Sequence, residues 1–505
     1  MTRARLLALN ALSLLVANIL SKFVLFIGSI FLLQYFDAGL ESTYYLVTAF
    51  ASLITTNFQD GIVSVTIRRV ATDLENKEGG ARYLGTCYLA SFLLALILLA
   101  IGVIAAFIYA RTQLEGSGLQ GEFILSACAL TATFLVGYGF SAAGAGFKAY
   151  EKLWIEAVLL LLQSILNAWV YIYGAGHAWP LSRFFFGLLA INTIHAVVAN
   201  IFLVLLVTRP KLHFRVGEAW EVFVESLGLG YATLLRTLQD RMHPFFIDCL
   251  AGHQLITQFS SSNNLLIQLK FIPLSIRPAL FPTLARKAEE NTTTFQDYST
   301  ALMKFLYLIA LPLMIALIVA RRFILPLVTV MDERFASLYA LALQVYPFIG
   351  WAVALSFPSQ VLRSLFIALK HPEFEFRTVF AGVVFLAAAD LVLIPWIGVL
   401  GAAVGAVACE LLILTYGLVL LRQVGRGLQV ANLFVLPTLC GMITNLLAEY
   451  LYGFHWILGI LSVIVVFPVL MLVFRVISPD EWAIVRELVK PGSVVRHDIT
   501  GCQHH

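Results

Sequence analysis

The chain has 505 residues, of which 60% are hydrophobic and only 12% charged, with a formal net charge of +4. A soluble domain carries roughly twice that charged fraction, so soluble enzymes are excluded, and a net +4 over this length gives no support to a nucleic-acid partner. Six cysteines with no CxxC pair among them point to neither a disulfide framework nor a zinc site.

Apolar runs recur from end to end, each long enough to cross about 30 Å of hydrocarbon. The first, 6–36, follows Arg3 and Arg5 and continues past Lys22 to Phe36. That is too long for the apolar core of a signal peptide, so it is expected to be a retained helix. Further spans are expected at 43–66, 83–109, 122–147, 153–173, 184–208, 226–250, 255–282, 300–320, 336–369, 376–396, 399–421, 430–452 and 454–475. Assigning the N-terminus and every second connection to one side gathers 22 of the 33 Lys and Arg residues there. The opposite side holds five, Arg111, Arg183, Arg321, Arg322 and Arg334, and six lie within spans. By the positive-inside rule the rich side is cytoplasmic. The expectation is an all-α polytopic membrane protein with fourteen spans and both termini in the cytoplasm.

Two stretches suggest a repeat. "GFKAYEKLWIEAVLLLLQSILNAWVYIYGAG" (146–176) can be laid over "ALKHPEFEFRTVFAGVVFLAAADLVLIPWIG" (368–398) at a shift of 222, pairing Lys148 with Lys370 and Glu151 with Glu373. Near the starts of the halves, 21–39 lies over 235–252 and sets Lys22 beside Arg236. Chance likeness of apolar helices is the competing explanation. A parallel repeat of this kind is a transporter architecture. The expected division is a six-helix lobe at 1–215, a second at 216–425, two further helices within 426–478 and a cytoplasmic tail at 479–505.

The charges inside the spans carry the functional signal. A Lys or Arg at the centre of a span costs roughly 2.5–3.5 kcal/mol, so it is expected to face a polar cavity or a partner. Lys270 and Arg277, seven residues apart in "NLLIQLKFIPLSIRPALF" (264–281), leave a helix by nearly one face, with Asn263 extending the stripe. Arg277 can alternatively snorkel to lipid phosphates. Lys22 shares a face with Asn18 and Ser29. Arg236 can line a cavity or pair with Asp240, and Arg241 points elsewhere. On the second span Thr56, Asp60 and Ser64 make a polar line, where Asp60 can carry a coupling proton, pair with a cation or brace the helix end. Asp390 and Glu410 are the other coupling-ion candidates, Glu410 being a packing residue unless a cation faces it.

"IALKHPEFEFRTVFAGVVFLAAADLVLIPWIGVLGAAVGAVACE" (367–410) resembles the eleventh and twelfth helix region of polysaccharide flippases. These are members of the multidrug/oligosaccharidyl-lipid/polysaccharide exporter superfamily. "NFQDGIVSVTIRRVA" (57–71) is similar to the family's second helix and "PLSIRPALFPTLAR" (273–286) to its eighth. The resemblance implies a two-lobed transporter that moves a polyprenyl-diphosphate-linked glycan from the cytoplasmic to the outer leaflet by alternating access, for cell-surface polysaccharide synthesis. It places the chain in the cytoplasmic (inner) membrane. A polysaccharide polymerase and glycosyltransferases are candidate partners beside membrane lipids, and no nucleic acid is expected.

With that substrate, Lys22, Arg236, Arg241, Lys270 and Arg277 form a candidate cationic site, since Arg and Lys suit a diphosphate. No cofactor or metal is expected; coupling to a proton or sodium gradient is. An enzyme is not expected, because the connections are short and hold no P-loop, HExxH or Gly-rich dinucleotide motif. A cation-coupled drug or metabolite exporter of the same superfamily is the alternative, and a membrane glycosyltransferase or polymerase a weaker one.

Overall fold

A computed structural model describes residues 3–72, 77–211, 216–274, 284, 286–289, 292–328, 336–428, 431–479 and 481–482. Over these residues the chain is helical from end to end, with no strand. The helices are α1 Arg3–Tyr35, α2 Ala38–Thr72, α3 Lys77–Gln113, α4 Gln120–Ala149, α5 Leu153–Gly176, α6 Leu181–Leu206, α7 Val216–Arg241 and α8 His243–Leu250. They continue as α9 Ile256–Ile267, α10 Thr292–Val319, α11 Arg321–Val328, α12 Ala336–Ala368, α13 Pro372–Ile397, α14 Val399–Gln423, α15 Leu436–Tyr452 and α16 Trp456–Val473.

Among the described residues, eleven helices are long and apolar enough to cross a membrane. The three other expected spans fall on α2, on α7 with α8, and on α9 with its continuation. These segments carry Asp60, Arg236, Arg241 and Lys270, and they are less apolar than the eleven.

Two of the three are interrupted. The expected helix at 226–250 breaks at Met242, between α7 and α8. Pro244 supplies no N–H to the carbonyl of Asp240, and its ring crowds that carbonyl. The expected helix at 255–282 tightens into a 3-10 turn at Gln268–Lys270. There Pro273 leaves the Leu269 carbonyl without its α-helical donor. Three residues at 120° rather than 100° each swing Lys270 by about 60° from the azimuth of a continuous α-helix. The connection at 321–335 is not bare loop either, since it holds the short helix α11.

The chain divides into two compact units. One contains Met1–Ser261, Pro326–Leu341 and Ala387–Ala402; the other contains Ser262–Leu325, Ala342–Leu386 and Ala403–His505. In the first, α1 packs along α5 and α2 along α7, while α4 lies against α2, α3 and α6. Glycines bring the backbones close. A Cβ at Gly61 of α2 would lie 2.6 Å from the Ser226 carbonyl oxygen of α7, and one at Gly28 of α1 would lie 2.9 Å from the Ala168 Cα of α5. Small residues at contacts let membrane helices gain dispersion energy where no hydrophobic effect separates protein from lipid. The core between α2, α3, α4 and α7 is built on Ile62, Val65, Leu94, Tyr138 and Val222. In the second unit α10 and α12 are the most buried spans. There α10 packs on α15 and α16 through Ile315, Val319, Ala448 and Val463.

The turns before α5 and α13 have the same backbone. At the first, the amides of Glu151 and Lys152 donate to the carbonyls of Lys148 and Phe147; at the second, those of Lys370 and His371 donate to Ile367 and Phe366. Each is a Schellman ending, with Glu151 (φ 59°) and Lys370 (φ 63°) in the left-handed region. The two elbows correspond residue for residue at a shift of 219, three residues less than the shift that matches the charges. At 219, Glu156 corresponds to Glu375. Both are buried in the first turn of their helix, where the helix dipole favours a carboxylate. Each is held by a cation of the preceding helix, Glu156 by Lys148 at 3.0 Å and Glu375 by Arg363 at 2.7 Å. Arg363 corresponds to Gly144, where a Cβ would meet the Glu156 carboxylate at 3.5 Å. The first copy takes its cation one helical turn later than the second. Lys148→Ala should therefore lower the melting temperature in detergent, by the equivalent of about 1–3 kcal/mol for a half-exposed partner of a buried carboxylate. Adding Gly144→Arg should restore part of the loss.

The helix ends also test the expected orientation. Cysteines placed at Gly176 and Gly398 should react with an impermeant thiol reagent from outside the cell, and one at Thr292 only from inside. Equal labelling of positions 292 and 398 from one side would contradict fourteen spans.

Candidate functional site

Of the candidate residues, Lys270 and Glu410 are brought together. Lys270 Nζ lies 3.5 Å from Glu410 Oε1, and Ser359 Oγ of α12 donates to Glu410 Oε2 at 2.9 Å. Glu410 is 5% exposed. The residue after Ser359, Gln360, is also buried, and its Oε1 has no hydrogen-bond partner among the described residues. A cation does face Glu410. Equally, Lys270 is not an isolated positive charge, because its nearest anion belongs to the protein. An anionic ligand reaching Lys270 has to displace or supplement that carboxylate.

Asp390 forms a second centre, within the other unit. It is completely buried, and its Oδ2 lies 2.9 Å from Nδ1 of His243, itself buried at the start of α8. Asp390 Oδ1 has no hydrogen-bond partner among the described residues. A carboxylate with one oxygen satisfied by an imidazole and the other unfilled can take up a proton or a small cation without moving.

Nearby in sequence runs a longer chain of polar groups. Tyr109 Oη of α3 donates to Asp248 Oδ2, whose Oδ1 lies 2.8 Å from His253 Nδ1. His253 Nε2 lies 3.0 Å from Thr43 Oγ1 of α2, and Thr43 donates on to the Gly39 carbonyl. Ser42 and Thr257 meet at 2.8 Å beside it. This network ties α2, α3 and α8 together. His243, Asp248 and His253 are not among the residues that the sequence singles out. The available signal is two histidines and a carboxylate within eleven positions of an otherwise apolar stretch.

The other candidates are more dispersed. Lys22 is exposed on α1, while Asn18 and Ser29, on its face, bond back to their own helix at Leu14 and Phe26. Arg236 and Arg241 are half-buried on α7, with Asp240 and Tyr44 beside Arg241. α1 has α5 as its main partner, whereas α7 has α2 and α3. Asp60 lies on α2, but its side chain falls outside the described residues, as does Arg277 altogether. Lys304 of α10 is buried and bonded to both carboxylate oxygens of Glu481 at 2.9 and 3.0 Å. It fastens the segment after α16 to α10.

Residues 32–331 match the model of a family described as polysaccharide biosynthesis protein. No curated protein matches the chain. Among solved structures, the lipid II flippase MurJ in an inward closed conformation superposes with a TM-score of 0.71 at 12% identity, covering 93% of this chain and 99% of MurJ. An inward-facing multidrug resistance MATE family transporter of the MOP superfamily gives a TM-score of 0.67 at 14% identity, covering 80% of this chain and 95% of that one. A MOP superfamily transporter from Pyrococcus furiosus gives 0.62 at 13%, covering 83% and 96%. The fold is that of the MurJ and MATE proteins.

Proposed function

Because the chain belongs to the polysaccharide biosynthesis protein family, we propose that it is a flippase of the cytoplasmic membrane. It carries a polyprenyl-diphosphate-linked glycan from the cytoplasmic to the outer leaflet, for synthesis of a cell-surface polysaccharide. The family match is the observation that carries this. The fold shared with a lipid II flippase supports it, and so do the cations within apolar helices, which suit a diphosphate.

In this account Lys22, Arg236, Arg241, Lys270 and Arg277 bind the diphosphate oxygens. Lys270 is held by Glu410 until the substrate arrives, which keeps a partly buried ammonium paired through the empty part of the cycle. Asp390 with His243, Glu410 and Asp60 are the groups on which a proton or sodium gradient acts. Two six-helix halves alternate access, with α15 and α16 added to them. The chain itself makes and breaks no covalent bond, and a polymerase or glycosyltransferases act before and after it.

Reconstitution tests the reading. Proteoliposomes loaded with a polyprenyl-diphosphate glycan in one leaflet should expose it to an added glycosidase in the other, at a rate that scales with the number of transporters. A rate equal to that of protein-free vesicles, from protein that remains folded, would refute it.

A further inference from the structure

Between α3, α4 and α6 of the first unit lies a groove of about 780 Å³. All three helices are among those able to span a membrane. Its floor is made of small or well-buried residues, including Ala95, Tyr138 and Ala196, whereas its rim is open: Phe92 is 59% exposed and Leu205 71%. At membrane depth an open rim faces hydrocarbon.

Among the described residues, five polar side chains line the groove, and each has a partner or close contact within the protein. Tyr88 donates to Asn200, and Asn200 donates to the Ala196 carbonyl. Tyr138 bonds the Thr55 carbonyl, Thr193 the Leu189 carbonyl, and Ser91 lies 3.9 Å from the Cys87 sulfur. Among the described residues no polar lining group is left without a protein contact, so the lining favours an apolar occupant. Its length follows from α6, which lines the groove from Thr193 to Leu205, roughly 18 Å at 1.5 Å per residue. The hydrocarbon of one leaflet is roughly 15 Å deep, half of the whole core. With the orientation given by the charge asymmetry, 88–95 of α3 and 193–205 of α6 both lie in the cytoplasmic half.

We infer that this groove is a binding site for one acyl chain of a cytoplasmic-leaflet phospholipid, held as a resident lipid along α3, α4 and α6. The span of a single leaflet is what favours a bilayer phospholipid over a polyprenyl chain, which would have to run on beyond the groove. The inference stands independently of the substrate proposed above.

The test is photolabelling of the full chain in phosphatidylethanolamine–phosphatidylglycerol vesicles that carry a diazirine in the acyl chain. Adducts should concentrate severalfold in the peptides spanning 88–95 and 193–205, relative to the outward-facing residues Leu446 and Leu472 of α15 and α16 (exposed, by 71% and 76%). Val197→Trp, which grows into the groove from its rim, should lower groove labelling severalfold and leave the α16 adducts unchanged. Ala95→Leu fills it from the floor and should do the same. Even labelling of all lipid-facing helices in the wild type would overturn the inference, with no variant needed. So would displacement of the phospholipid adducts by an equimolar polyprenyl phosphate, which would make the groove a polyprenyl site.

Discussion

Replacing Lys270 with methionine should destabilise the protein by about 3 kcal/mol, and replacing Glu410 with methionine as well should return most of that loss. The single change strips the ammonium 3.5 Å from a buried carboxylate that Ser359 also holds. The double change removes both charges and fills the space with side chains of similar length. The substituted proteins should therefore melt in the order Lys270→Met lowest, the double variant higher, and wild type at or near the top. Thermal unfolding in one detergent at one scan rate gives that order directly. A Lys270→Met protein as stable as wild type would mean that the pair is open to water. Function should split from stability here, because the double variant regains its fold without regaining a cation for the substrate.

Asp390 should divide transport in a different way. Asp390→Asn keeps the shape and a hydrogen bond to His243 but cannot ionise. It should abolish transport driven by an imposed pH or sodium gradient while leaving gradient-free exchange of substrate across the vesicle largely intact. Asp390→Ala should add a stability loss of about 1–3 kcal/mol, because the buried His243 imidazole loses its partner. His243→Gln should retain the fold and change which gradient is effective, since a lone carboxylate remains for a metal cation but the imidazole is gone. Full gradient dependence in Asp390→Asn would move coupling to Glu410 or Asp60.

How much of this was legible in the sequence depends on how local each feature is. The spans were legible because apolar length is a local property. Eleven of them stand out by composition, whereas α2, α7 with α8, and α9 are expected to span only on the alternation of basic residues between connections. The breaks at Met242 and Gln268–Lys270 are written in Pro244 and Pro273, but apolarity carries across a proline, so hydropathy alone gives each as one continuous helix. The two Schellman elbows were not legible in backbone terms, because Glu151 and Lys370 hold the positions where glycine usually gives the signal. The pairings were the least legible. Glu410 meets Lys270 across 140 residues and Asp390 meets His243 across 147, and no helical periodicity connects residues that far apart. Isolated cations inside apolar runs identified where partners were needed; only the packing identifies the partner.

Binding of a polyprenyl-diphosphate glycan to purified, folded variants is the most direct test of the central claim. Lys22→Ala, Arg236→Ala and the stable Lys270→Met/Glu410→Met protein should each bind about 10–100-fold more weakly, the loss of one charge-assisted contact of roughly 1.5–3 kcal/mol. Lys270→Arg should bind better than Lys270→Ala. Arg277→Lys should fall between wild type and Arg277→Ala, since a lysine keeps the charge but not the planar fork. Undiminished affinity across the folded charge-removing variants would contradict an anion-binding site in the membrane and would favour an exporter with a different cargo.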